Sequence, residues 1–480
     1  MALQSTHQSQ KTLTIFRLVM MAVIAIDSLK NLPANAQYGS SLLFFYLIAT
    51  VAFFIPSALV AAELATGWPE TGGIYVWVRE AFGKRIAFLA VWTQWLYMLI
   101  WYPTILSFIA VTIAYFISPA LAQDKYYILF TILSVFWIAT LFSCLSLKVS
   151  SSVSTMSALV GVIIPMLCIA LLGIYWIYSG HVSHLHFTLQ STVTQVFNED
   201  HFRLFVNLLF SLMGIEMVAV HAGDVRNPAR DYPKAMLASA VIILATVIPS
   251  SLAIAAVISP KEISLTAGVI EAFTIFLNAF HLNWLKTFVI FSVAIGSFGI
   301  FMVWLLSSTR CLLIAANDDC LPRFFQKANR QEMPVALLFI QGIVFTVLSS
   351  AFILMPSVNS AFWLLTASSS QLALIYYLFL FASGLKLRYK KPEVHRPFRV
   401  GKSPALLWGI CLVAMITCLV SICFGFLPPP DIAKSQIVFY DMTLCALILG
   451  GCGAAVVIYE RSQAAKSRKI QIPSIVCEET

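Results

Sequence analysis

Apolar runs of about twenty residues recur from one end of this 480-residue chain to the other, and nothing else constrains its fold so strongly. Twelve spans are expected, near 14–37, 41–66, 86–118, 125–147, 153–178, 201–222, 235–258, 284–316, 335–355, 359–385, 405–426 and 437–459. About 20 helical residues cross the ~30 Å of hydrocarbon in a bilayer. Within that layer a backbone must satisfy its own hydrogen bonds, so each span is expected to be helical. Composition excludes a soluble domain: 60% of residues are hydrophobic and only 11% are charged, where soluble domains carry about 25%. The expected class is an all-α membrane protein with the lipid bilayer as a partner.

The net charge of +9 does not point to nucleic acid. With the N-terminus placed in the cytoplasm, most of the 30 Lys and Arg residues fall on the cytoplasmic side. Arg79, Lys84 and Arg85, then Arg226, Arg230 and Lys234, then the stretch "KLRYKKPEVHRPFRVGK" carry much of the excess. Lys30, Lys125, Arg203, Lys261, Lys286 and Lys434 fall on the other side. This asymmetry predicts that both termini are cytoplasmic. Lys11 and Arg17 before "LVMMAVIAI", with "ANA" at 34–36, mimic a signal peptide, but the segment is read as the first span. The ten cysteines are scattered through apolar runs without a CxxC pair and read as small core residues.

Two spans are interrupted. Span 1 reads "TLTIFRLVMMAVIAIDSLKNLPANAQYG", and its apolar run stops at Asp27, with Lys30 and Pro33 following. Span 6 reads "FRLFVNLLFSLMGIEMVAVHAG" and breaks at Gly214 and Glu216. An ionisable group at the bilayer centre costs roughly 2.5–3.5 kcal/mol unless it faces protein or water. The two spans lie five apart, which fits an inverted repeat of five spans around a midplane site. An unwound helix frees peptide groups at membrane depth. The positive N-terminal end of a half-helix suits a carboxylate, and freed carbonyls suit an ammonium group. A pair of breaks is thus a receptor for a zwitterion, although a glycine in such a helix also serves close packing.

The stretch "MGIEMVAVHAGDVRNPARDYPKAM" resembles the sixth span and following loop of the bacterial glutamate/GABA antiporter family, in the amino acid–polyamine–organocation superfamily. "IPSALVAAELATGWPETGGIYVWVREAFG" (55–83) resembles the signature after span 2. "SPKEISLTAGVIEAFTIFL" (259–277) and "STRCLLIAANDDCLP" (308–322) resemble the segments before and after span 8. The resemblance implies a LeuT-type fold of twelve helices. Residues 1–13 would be a cytoplasmic segment, 14–178 the first repeat, 201–385 the second, 405–460 two extra helices and 461–480 a short tail. It implies a secondary-active amino acid antiporter in the bacterial inner membrane, exchanging amino acids such as glutamate and GABA. A proton-coupled symporter of the same fold and a transport-dead amino acid sensor are the alternatives. Carried over by position, the binding breaks are Ala25, Ile26, Asp27 and Ser28, and Gly214, Ile215 and Glu216. Two features depart from the family pattern. Only twenty residues follow Glu460, where family members adapted to acid resistance often end in a long plug, and span 1 carries charges: Asp27 would favour a basic or neutral substrate and Lys30 an acidic one.

Individual residues carry competing roles. Glu216 could contact the substrate ammonium, order the unwound backbone or bind a proton. Asp27 and Lys30, three apart, could pair near the outer mouth. Trp304, Trp363 and Tyr377 are candidate cavity walls, with packing as the alternative. Glu63 is expected to pair with a loop arginine or to serve the cytoplasmic gate. His221, Asp224, Arg226, Arg230 and Asp231 are assigned to gating or pH sensing in a stiff, charged loop. "HVSHLH" (181–186) lacks further ligands for a metal. No phosphate loop, GxSxG, HExxH or paired catalytic carboxylates occur, so neither an enzyme nor a cofactor is expected.

Overall fold

The computed structural model describes residues 15–70, 72–145, 159–185, 199–217, 225, 227–327, 329, 334–428 and 437–471. The first apolar run forms α1 (Ile15–Ile26) and then stops. Asp27 N–H still bonds the Val23 carbonyl at 2.7 Å, but Ser28 is extended, with φ −140° and ψ 120°. The chain resumes as one tight turn and a five-residue helix, α2 (Leu32–Ala36), with Pro33 in its first turn. Proline is accommodated there because the amide it lacks would have no helical partner.

Next come α3 (Gly39–Gly67), the short α4 (Ile74–Phe82), α5 (Lys84–Ile117), α6 (Lys125–Cys144) and α7 (Leu159–Tyr178). The sixth expected span is again incomplete. It forms α8 (Glu199–Ser211), which ends before Gly214 at φ +122°, a backbone conformation open to glycine and outside any helix. Then follow α9 (Arg230–Val257), a twelve-residue apolar helix α10 (Gly268–Ala279), α11 (Asn283–Asn317), α12 (Val335–Leu354), α13 (Val358–Lys390), α14 (Pro404–Phe424) and α15 (Ile437–Ser467). Among the described residues ten helices are long and apolar enough to cross a membrane. The expected spans missing from those ten are 14–37 and 201–222, the two read as interrupted.

Burial sorts the helices. In their most apolar windows α5 is 89% buried, α13 83% and α11 72%, while α14 is 28% and α15 only 17%. The first three form the centre, and the last two lie at the periphery. Outer faces are apolar: Leu43, Leu47, Val51 and Ile55 make an exposed stripe along α3 at four-residue spacing. Such a stripe is stable against lipid and not against water.

Lipid does not drive helices together hydrophobically, so close packing and polar ties do it. Gly161 of α7 crosses Gly296 of α11 so closely that an added Cβ would lie 2.2 Å from the Gly296 Cα. Ser292 of α11 donates to the Val160 carbonyl at the same crossing. Inside the bundle, Trp95 of α5 and Thr309 of α11 both donate to Gln341 Oε1 of α12, at 2.9 and 3.2 Å. Ser369 of α13 donates to the Tyr97 carbonyl of α5 at 2.8 Å.

Candidate functional site

The two helix breaks meet. A Cβ placed on Gly214 would lie 3.1 Å from the carbonyl oxygen of Ala25 and 3.1 Å from the Trp304 ring. Trp304, from α11, donates its indole N–H to that same Ala25 carbonyl at 3.3 Å. A carbonyl freed by the end of α1 is thus held by a side chain from a central helix. The glycine lets the second break approach it.

Beside this junction is a hollow of about 30 Å³, roughly the volume of one water. Ala25, Ile26, Ser28 and Trp304, four of the residues read from sequence, line it. Sequence reasoning did not single out Asn31, Tyr97, Trp101, Phe210 and Met213, which also line it. Their only signal was proximity to a break, for Asn31, Phe210 and Met213; Tyr97 and Trp101 lie mid-span in an aromatic-rich α5 and carried none. An amino acid exceeds this volume, so one would fit only after the hollow widened.

Behind the hollow, Tyr377 of α13 ties the second break together. Its hydroxyl accepts from the Gly214 N–H at 2.9 Å and donates to the Glu216 carboxylate. Glu216 is buried, and Ile215 beside it is fully buried. Neither of them, nor Gly214 or Tyr377, is among the residues lining the hollow. The arrangement makes Tyr377 a proton donor to the acid and an acceptor for an amide that the broken helix left free.

Asp27 is fully buried and accepts from the Thr246 hydroxyl of α9 at 2.9 Å, while its other carboxylate oxygen has no hydrogen-bond partner among the described residues. The pairing of Asp27 with Lys30 expected from their spacing does not form. The spacing rule needs a continuous helix, and the extended Ser28 lies between them. Lys30, 1% exposed, instead has Nζ 4.9 Å from the ring centre of Phe362 and 5.9 Å from those of Trp101 and Phe210.

Ion pairs concentrate at the end of the bundle that carries the basic loops. Glu63 of α3 accepts from Arg388 of α13 at 2.5 Å and from the Val400 N–H at 2.8 Å, and Arg396 lies 3.6 Å away. All three side chains are at most 7% exposed. The loop-arginine pairing expected for Glu63 is therefore present, and a second arginine from the end of α13 lies closer still. Arg396 also donates to the Leu387 and Lys391 carbonyls at 2.8 and 2.9 Å, closing the C-terminus of α13, and stacks over Trp68.

Asp318, just after α11, is a second hub. It accepts from Lys84 at 2.5 Å and from Tyr75 at 2.7 Å. Partial burial opposes its charge, yet the bonds from Lys84 and Tyr75 hold its carboxyl below the usual range. The bond from Lys391 does the same for Glu80 of α4, and that from Lys466 of α15 for Asp319. Arg230 and Asp231 lie in the first turn of α9, where both backbone N–H groups donate to the Asn227 carbonyl. His221, Asp224, Arg226 and His186 lie outside the described residues. His181 stacks on Trp176 and pairs with the Ser179 hydroxyl. Among the described residues no group of His, Cys, Asp and Glu is arranged to hold a metal.

Comparison with known proteins gives this geometry a family. The amino acid permease family model matches residues 13–450. An uncharacterized transporter of Legionella pneumophila is 42% identical over 444 residues, 92% of this chain and 95% of its own. A glutamate/gamma-aminobutyrate antiporter of Lactococcus lactis is 29% identical, over 94% of this chain and 91% of its own. Among solved structures, MhsT in complex with L-phenylalanine matches with a TM-score of 0.58 at 15% identity, over 85% of this chain and 98% of that one. At that identity the likeness speaks for the shared fold, in agreement with the LeuT-type class expected above. With an all-helical bundle, two interrupted helices meeting at a hollow and a family match along nearly its whole length, the chain belongs to the amino acid permease family and is a multi-pass membrane transporter rather than an enzyme.

Proposed function

We propose that this protein is an obligate exchanger of amino acids, of which glutamate and GABA are one pair, in a bacterial inner membrane. The observation that carries the reading is the meeting of the two breaks, with the Ala25 carbonyl and the Gly214 N–H brought to one junction beside the hollow. Freed carbonyls suit the ammonium of an amino acid and freed amides its carboxylate. The 29% identity to a glutamate/gamma-aminobutyrate antiporter, over 94% of the chain, supports the substrate pair. In this reading α1 and α8 open the first helices of two inverted five-span repeats, and α14 and α15 are the two additional spans. Both termini face the cytoplasm, as the basic loops favour.

Ala25, Ile26, Ser28 and Trp304 would touch substrate directly. Gly214, Ile215, Glu216 and Tyr377 would shape the second break, and Asp27 would brace the first against α9. The ion pairs of Glu63 with Arg388 and Arg396 would form part of the cytoplasmic gate, with Arg230 and Asp231 at the start of a moving α9. A proton is the candidate co-substrate.

The test is counterflow. Purified protein in liposomes is loaded with unlabelled GABA, and uptake of labelled glutamate is measured. Uptake is expected only when the interior is loaded. Uptake into empty vesicles driven by a pH gradient would show a symporter instead. Binding without any flux would show a sensor.

A further inference from the structure

We infer that Lys30 is a specificity-determining residue that reads a second carboxylate on the transported amino acid. The inference rests on the exchange reading and adds to it the group that tells acidic side chains from neutral ones.

Lys30 follows the first break, is buried and makes no hydrogen bond or ion pair among the described residues. Three rings from three helices surround its amine: Phe362 of α13, Trp101 of α5 and Phe210 of α8. Aromatic faces attract an ammonium but offer no oxygen to receive its protons. A buried amine without an anion is costly to charge, and a carboxylate arriving beside it relieves that cost. The placement supplies the anion's route. Trp101 and Phe210 also line the hollow at the breaks, so the amine and the hollow share two of their walls. A rotation of either ring, as the helices part to load, brings Nζ within reach of a side chain seated there.

The nearby acid does not compete. Asp27 turns to Thr246 on α9 and leaves the amine alone. Nor is the α-carboxylate of the substrate the natural partner, because in the exchange reading it meets the second break, where the Gly214 N–H would pass from the Tyr377 hydroxyl to it. What remains for Lys30 is a carboxylate further along the side chain. An amide in that place would give a weaker, uncharged bond.

The experiment compares glutamate with glutamine, and aspartate with asparagine, in counterflow. The wild type is expected to prefer each acid over its amide. Lys30→Met should shift the glutamate-to-glutamine ratio towards the amide by about tenfold or more, the worth of a charge-assisted bond, and Lys30→Arg should restore much of the preference. A wild type without preference for either acid overturns the inference and needs no variant. So does a Lys30→Met protein that loses acid and amide alike, since Lys30 would then only brace the three rings. A wild type that exchanges no amino acid at all overturns the functional reading and the inference with it.

Discussion

Tyr377 holds two groups that the broken helix would otherwise leave bare, the Gly214 amide and one oxygen of Glu216. Removing its hydroxyl strands both, and each buried unsatisfied group costs about 1–3 kcal/mol. Tyr377→Phe is therefore expected to lower the thermal midpoint of the purified protein more than Glu216→Gln, which keeps an acceptor in place. Glu216→Gln should instead slow exchange while folded protein remains in the membrane, checked by counterflow beside size-exclusion chromatography. Full exchange by Glu216→Gln at every pH tested would remove the acid from the mechanism. The residues at the breaks were legible in the sequence because glycine and charge are rare in apolar spans. Their partners were not. Tyr377 lies 161 positions from Glu216, and only the tertiary fold pairs them. One of the two readings of Lys30 failed for a local reason: pairing with Asp27 at that spacing needs a helix that the chain does not continue.

At the level of elements, the crossing of α7 and α11 is the tightest test of packing. Neither Gly161 nor Gly296 admits a Cβ without displacing the backbone of the other helix. Gly161→Val should cost on the order of 1–3 kcal/mol or prevent assembly, in line with overpacked interiors. A Gly161→Val protein with an unchanged thermal midpoint would mean that the two helices are not locked together. Gly214→Ala should be milder in volume yet strained in backbone, since φ +122° disfavours any side chain and the Ala25 carbonyl is 3.1 Å away. Its expected effect is slower exchange with retained membrane insertion. Helix positions were readable from hydropathy because lipid demands long apolar runs. The helix α10 was not foreseen: at twelve residues it is too short to span, and hydropathy marks only runs long enough to cross. The wide π turns inside α3 and α7, at Thr50–Phe54 and Leu159–Ile163, likewise had no sequence mark, because packing against neighbours sets them.

Across the whole molecule, one end is fastened by ions. Glu63 joins α3 to α13, Asp318 joins the end of α11 to α4 and α5, and Asp319 joins it to Lys466 on α15 at 2.6 Å. Breaking a buried pair by removing one partner costs about 3–5 kcal/mol. Glu63→Gln, which strands Arg388 and Arg396, is thus expected to lower yield and thermal midpoint far more than Asp319→Asn at the exposed pair. Acid should loosen the same end. The carboxyls of Glu80, Asp318 and Asp319 are held below the ordinary range, so their stabilisation is present above the unfolded value of about 4. It is lost as pH falls through the lowered folded values. A thermal midpoint that drops below about pH 4, with the exposed pairs also weakened by salt, is the expected profile, and a flat one would show that these pairs do not fasten the bundle. The basic character of this end was plain from the sequence, but not which acid each base meets, because the pairs join segments up to 325 positions apart.

The lengths of the helices divide the protein's response to its membrane. The 34 residues of α5 extend about 51 Å at ~1.5 Å each, well beyond a hydrocarbon layer of ~30 Å. A thicker or thinner bilayer meets this helix somewhere along its length, and tilt absorbs the difference. The 21 residues of α14 extend only about 32 Å and have no such surplus. Moving the protein between short-chain and long-chain lipids should therefore disturb the rim of the bundle first and leave its centre, where substrate would pass, largely insulated.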